Sequence, residues 1–171
     1  MSSSTPEAGV PESLTAAVLT VSDSCARGER NDLSGPAVAE VLTRKSFSVI
    51  TREIVPDEQP AIQAALVRMC EKAQLVVTTG GTGIAERDVT PEATSAVCSR
   101  LLDGVGERMR SEGAKKARFA ALSRGICGVR GKSVVLNLPG SPKGAVESLE
   151  AVIDLLPHAL QLLAGKTAHG A

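Results

Sequence analysis

A chain of 171 residues with 43% hydrophobic and 22% charged side chains has the composition of a soluble globular protein and is long enough to bury a core. Nineteen basic and nineteen acidic residues cancel, and two Phe with no Trp or Tyr leave neither a net positive field nor stacking platforms, so nucleic acid is excluded as a partner. No apolar run approaches the ~18 residues of a membrane span, which removes the membrane as well.

The first thirteen residues, MSSSTPEAGVPES, carry neither a basic n-region nor an apolar h-region and read as a disordered tail rather than a signal peptide. The expected organisation is a tail over residues 1–14, one domain over 15–164 and a flexible end over 165–171, in a cytoplasmic protein. Ala16–Ser22 is a short apolar run ending in polar residues, hence a buried strand. Ser34-Gly35-Pro36 opens a helix with Ser as cap and Pro in the first turn. Phe47–Val55 is a second strand, closed by Pro56. Asp57 is placed to cap a helix whose Ile62, Leu66, Met69 and Cys70 share a face. The β-branched run Leu75–Thr79 is too short for a helix and predicts a central strand. Thr90-Pro91-Glu92 starts the next helix, with Ala93, Val97 and Leu101 at intervals of four, and Gly104–Lys116 is a weaker one. Ala120–Cys127 and Lys132–Leu138 are the last strands, joined by a turn at Gly128–Gly131. A final helix begins at Ser141-Pro142 and runs to Leu163, disturbed at Pro157. This alternation predicts an α/β fold with a mostly parallel sheet covered on both faces.

Chemistry concentrates beyond the carboxyl ends of the strands, where open α/β sheets bind ligands. Ser22, Asp23, Asp57 and the loop Thr78–Gly83 stand there, as does Asn137 through Lys143. In TTGGTG, Gly80, Gly81 and Gly83 allow positive φ and close approach, so successive N–H groups can turn around an anion while Thr78, Thr79 and Thr82 add hydroxyls. The pattern is neither a P-loop nor the dinucleotide fingerprint. Its continuation brings Arg87 for phosphate and Asp88 for a metal to a helix amino terminus. Asp23, Asp57 and Asp88 are candidate magnesium carboxylates, and Arg124 and Lys143 candidate phosphate cations. The four cysteines have no C-x-x-C spacing and only two His to assist them, which argues against zinc. They read as reduced core thiols, except that Cys25 follows a candidate site loop.

TTGGTGIAERDVTPEAT and LSRGICGVRGKSVVLNLPGSPKG, together with VSDS, the Asp32–Ser34-Gly35-Pro36 helix start and the PDE of residues 56–58, closely resemble the MogA/MoaB family of molybdenum cofactor biosynthesis, which includes the amino-terminal domain of gephyrin. The resemblance spans about Ala16 to Leu163. It implies a three-layer α/β/α fold with a mixed, mostly parallel sheet, assembled as a homotrimer. It further implies adenylylation of molybdopterin by ATP with Mg²⁺, releasing pyrophosphate, before a separate enzyme inserts molybdate. Under it, Asp57 and Asp88 are the catalytic, metal-associated aspartates, and Gly80, Gly81 and Gly83 form the nucleotide loop. Ser123, Asn137, Pro139, Gly140 and Ser141 form the pterin side. A pterin-binding or scaffold protein without catalysis carries similar motifs and stays open as the alternative. A nucleotide hydrolase built on the glycine loop is disfavoured by the missing P-loop lysine motif.

Overall fold

The computed structural model describes residues 13–166. Most of the expected tail, residues 1–12, and the end from residue 167 lie outside them. Strand β1, Leu14–Val21, begins inside the stretch assigned to the tail. It is followed by the short helix α1 (Asp23–Ala26), α2 (Ser34–Arg44), β2 (Phe47–Val55), α3 (Gln59–Cys70) and β3 (Leu75–Thr79). Then come α4 (Thr90–Val97), β4 (Arg100–Leu101), α5 (Asp103–Ala114), a 3-10 turn at Arg118–Leu122, β5 (Cys127–Arg130) and β6 (Ser133–Leu138). The described chain closes with α6 (Pro142–Val152), a 3-10 turn at Ile153–Leu155 and α7 (Leu156–Leu163).

The strands form one mixed sheet in the order β2-β1-β3-β6-β5-β4, with β2, β1, β3 and β6 parallel and the β6–β5 and β5–β4 pairs antiparallel. Apolar residues alternate across the sheet because strand side chains have a period of two. Ala16, Val18, Leu75, Val77, Val134 and Leu136 face α2, α5, α6 and α7, which contribute Val41, Leu42, Met109, Leu149 and Leu156. Ala17, Leu19, Val76 and Val135 face α3 and α4, which contribute Ile62, Leu66, Met69 and Ala93. The result is the expected three-layer α/β/α arrangement. The chain leaves β1 in one direction for β2 and returns on its other side to β3, so the β1/β3 boundary is a switch point where loops part and leave a crevice. Among the described residues, no helix is long and apolar enough to cross a membrane.

Several local expectations are corrected. Ser34 is not the cap of α2: Asp32 Oδ1 accepts from Gly35 N–H at 3.0 Å and fills that role. Asp57 does not cap α3, which starts after an uncapped Glu58. Its carboxylate instead accepts from Asp23 N–H. Thr90 is the first residue of α4 rather than its cap, and its hydroxyl donates to the Gly80 carbonyl at 3.0 Å. The helix stops at Val97, and Leu101 belongs to an edge strand paired with β5. Ala120–Ile126 is no strand: Ala120–Leu122 belong to the 3-10 turn, where Leu122 is exposed, and only Cys127 of the expected run is extended, as the first residue of β5, with Gly128 next in that strand instead of in a turn. A Cβ on Gly128 would meet Cys98 Sγ at 2.7 Å, so this glycine serves close packing within a strand. The break at Pro157 is present, with α6 ending early and the proline sitting in the first turn of α7.

Candidate functional site

Two chambers open side by side beyond the carboxyl ends of β1, β3 and β6. The smaller, about 430 Å³, is polar: Thr20, Ser22, Asp32, Ser34, Asp57 and Thr79 stand in its wall, with Cys25 at its edge. The larger, about 580 Å³, lies between α5, α6 and the 3-10 turn at Arg118–Leu122. Gly81, Asp88, Gly140 and Ser141 line both.

The common wall is built from glycines because nothing larger fits. Gly80 and Gly81 have φ of 93° and 67°, in the left-handed region that favours glycine. A Cβ on Gly80 would lie 2.2 Å from the Val21 carbonyl oxygen, and one on Gly140 would lie 3.3 Å from Gly80 Cα. Thus the loops after β1, β3 and β6 meet backbone to backbone. Gly80 N–H is taken by the Leu138 carbonyl at 3.0 Å, and Thr90 N–H donates to the Gly81 carbonyl at 3.1 Å. Gly80 therefore makes the turn and contributes no donor to an anion. The main-chain N–H groups of Gly81, Thr82 and Gly83 donate to no described residue. These three adjacent donors are what an anion would take up.

Around this loop the carboxylates are fixed by main-chain hydrogen bonds. Asp23 N–H donates to Asp57 Oδ2 at 2.8 Å, while Asp57 N–H donates to Asp23 Oδ1 at 3.0 Å, a reciprocal clasp between the loops after β1 and β2. Asp88 Oδ2 accepts from Ala85 N–H at 3.0 Å. Burial lifts the Asp57 carboxyl above its ordinary value, and the neighbouring charges of Asp23 and Asp88 push the same way. The Arg87 guanidinium, bonded to both Asp23 oxygens at 2.6 and 2.8 Å, holds Asp23 below its ordinary value.

Several candidate residues occupy places other than those expected. Arg87 is engaged by Asp23 and lies outside both chamber walls. Arg124 is a clamp on the loop: Nε donates to the Gly83 carbonyl at 2.8 Å, Nη2 to the Asp88 carbonyl at 2.8 Å, and Nη1 to Glu92 at 2.7 Å. Lys143 is exposed, 4.0 Å from Glu147, and lines neither chamber. Thr79 is buried, with its hydroxyl 2.9 Å from that of Ser34. Ser22 caps α1 by accepting from Cys25 N–H at 3.2 Å. Ser123, Asn137, Pro139, Gly140 and Ser141 do line the larger cavity, as do Thr82 and Gly83. The Asn137 amide spans three elements, donating to Thr78 and Thr94 and accepting from Ile126 N–H, so it braces the cavity floor.

Other residues of the site had no individual signal in the sequence. Asp32 gathers Thr20, Ser34 and Gly35 N–H around its carboxylate, and only its D-x-S-G-P setting hinted at a helix start. Arg110, Glu147 and Ser148 enter the larger cavity from helices whose spacing reads simply as amphipathic.

Among the described residues, no group of three His, Cys, Asp or Glu side chains gathers as a cation site. Mg²⁺ needs fewer, because it keeps waters and takes one or two carboxylates alongside substrate phosphates. Asp57 and Asp88 both line the polar chamber, and each has its Oδ2 held by a main-chain donor. For both, Oδ1 is bonded to no described donor. That donor set fits a magnesium ion shared with phosphate.

A model of the probable molybdopterin binding domain family matches residues 17–158. The chain is 47% identical over 152 residues to molybdopterin adenylyltransferase of Helicobacter pylori J99, covering 86% of each protein. It is 39% identical to the Escherichia coli K12 protein of the same name, over 86% of this chain and 84% of that one. Among solved structures, the molybdopterin biosynthesis enzyme MoaB from Thermus thermophilus superposes with a TM-score of 0.84 at 51% identity, over 90% of this chain and 98% of that one.

Proposed function

The chain belongs to the MogA/MoaB family of molybdopterin-binding proteins, and from that premise we propose that it adenylylates molybdopterin with ATP, releasing pyrophosphate. The observation that carries this reading is the pair of chambers meeting at Gly81, Asp88, Gly140 and Ser141, with the free N–H of Gly81 on that wall and those of Thr82 and Gly83 beside it in the larger chamber. With Mg²⁺ held by Asp57 and Asp88 to offset its carboxylates, the polar chamber, where Arg30 also stands, would take a polyanion, and the other suits a larger, partly apolar ligand. Their shared wall is where a phosphate of one could reach a phosphate of the other.

In this reaction an oxygen of the pterin's terminal phosphate forms a bond to the α-phosphorus of ATP. The bond from that phosphorus to the bridging oxygen breaks, and pyrophosphate leaves with the electron pair. The attacking oxygen is already anionic, so no general base is required, and repulsion between the two phosphates is the main obstacle. Fixed N–H donors from Gly81 to Gly83 reduce that repulsion and stabilise the crowded oxygens without reorganising. Asp57 and Asp88 would hold Mg²⁺, which supplies neutralising charge to the phosphate oxygens when bound. The Arg124 clamp and the Asp23–Asp57 clasp keep the glycine turn and its two carboxylates in register. Gly81 and Asp88, on the shared wall, serve both ligands.

The test is incubation of the purified chain with molybdopterin, Mg²⁺ and ATP. Adenylylated pterin and pyrophosphate appearing together support the reading. Pterin bound without product would instead identify a non-catalytic pterin-binding protein.

A further inference from the structure

The larger cavity has apolar walls from Met109, Phe119 and Leu122, which match the faces of a flat heterocycle. Polar edges must be matched by other groups. Among the described residues lining this cavity, the acids are Asp88, on the wall shared with the polar chamber, and Glu147 on α6; the base is Arg110 on α5. Glu147 has a mostly buried side chain, 22% exposed, and its nearest cation, the exposed Lys143, stands at 4.0 Å. Arg110 donates through Nη1 to the Gly125 carbonyl at 2.9 Å and forms no salt bridge with a described residue. Gly106 leaves room for its guanidinium, since a Cβ there would lie 3.2 Å from Nη2. A carboxylate and a guanidinium on two helices therefore flank an apolar slot.

We propose that Glu147 is the residue that selects the 2-amino-4-oxopyrimidine edge of the pterin, with Arg110 available to its acceptor atoms. The proposal rests on the reading of the larger cavity as the pterin site. A carboxylate accepts two adjacent N–H donors side by side, and the ring N–H and 2-amino group of a pterin present that pair. Adenine offers a donor next to an acceptor on its corresponding edge, so the same carboxylate would face a lone pair. Glu147 thus admits the pterin and rejects the base of the other substrate, which sends ATP to the polar chamber.

The test compares steady-state kinetics of the full chain and its Glu147→Gln variant, which preserves shape but replaces one acceptor with a donor. The expected result is a KM for molybdopterin raised by roughly tenfold to a hundredfold, the range set by loss of charge-assisted hydrogen bonds, with kcat and the KM for ATP unchanged. An unchanged KM for molybdopterin, or equal increases for both substrates, would overturn the assignment. Glu147→Asp provides a second variant, with the carboxylate retained but withdrawn, and is expected to lie between wild type and Gln. If wild type forms no adenylylated product, the enzymatic reading fails separately. Molybdopterin affinity measured by its own fluorescence then decides this inference: weaker binding by the Gln variant upholds it, and equal binding or none by wild type removes it.

Discussion

Replacing Gly80 with Ala tests whether the shared wall depends on close approach as well as on backbone conformation. Two costs should add. An L-residue at φ 93° is strained by about 1–2 kcal/mol. The new Cβ would also lie 2.2 Å from the Val21 carbonyl, about 1 Å inside ordinary contact, and main chain cannot swing aside as a side-chain tip can. Overpacking of that kind adds about 1–3 kcal/mol, giving a total of roughly 2–5 kcal/mol. Gly131 supplies the control: its φ is 58°, but a Cβ there meets nothing within 4 Å. Gly131→Ala should therefore cost only the conformational part, about 1–2 kcal/mol. At about 2–4 °C per kcal/mol for a chain of this size, the two variants should melt several degrees apart. Urea unfolding followed by circular dichroism gives the free energies directly. Because the displaced Val21 carries Ser22 and Asp23 with it, Gly80→Ala should also lose adenylyl transfer while Gly131→Ala keeps it. Equal destabilisation by both substitutions would refute the packing argument.

Two further outcomes follow from the site. Asp57→Asn should cut turnover by about a hundredfold or more, equivalent to ~3 kcal/mol of barrier, yet melt higher than wild type at neutral pH. The folded Asp57 pKa is raised above the ordinary 3.8, so the folded state holds this proton more tightly than the unfolded chain. Wild-type stability therefore falls as pH rises from that value through the raised one, and the melting gap to Asp57→Asn opens across this window. Wild-type kcat/KM should fall as pH drops through the same window, as the carboxylate is lost; pH-dependent melting and kinetics check both. At Arg124, replacement by Lys should fail to restore the loop, because one ammonium cannot serve Gly83, Asp88 and Glu92 together. A loss of about 1–2 kcal/mol and faster hydrogen exchange across residues 83–88 are expected. Wild-type exchange in that segment would contradict the clamp.

Much of this arrangement is legible from local sequence. Leu75–Thr79 reads as a buried strand and Gly80-Gly81-Thr82-Gly83 after it as a turn with unusual backbone, which the positive φ of Gly80 and Gly81 bears out. What escaped depends on contacts distant along the chain. Asp57 resembles a helix cap because Pro and an apolar helix follow, yet its carboxylate is claimed by an amide 34 positions away. Arg87 and Arg124 read alike as phosphate cations, but their partners are Asp23, on another loop, and the carbonyls of the glycine segment. Gly128 reads as a turn residue because spacing cannot reveal Cys98 pressing on it from the end of α4. Glu147 looks like one more solvated acid of an amphipathic helix. Only the position of α5 across the cavity turns it into part of a wall.

ATP labelled at its α-phosphate, mixed with Mg²⁺, molybdopterin and the purified chain, provides the most direct measurement. The label should move to the pterin, with one pyrophosphate released per transfer, and the movement should require molybdopterin. Release of inorganic phosphate without pterin, or label that never leaves the nucleotide while pterin is bound, would contradict adenylyl transfer at the junction of the two chambers.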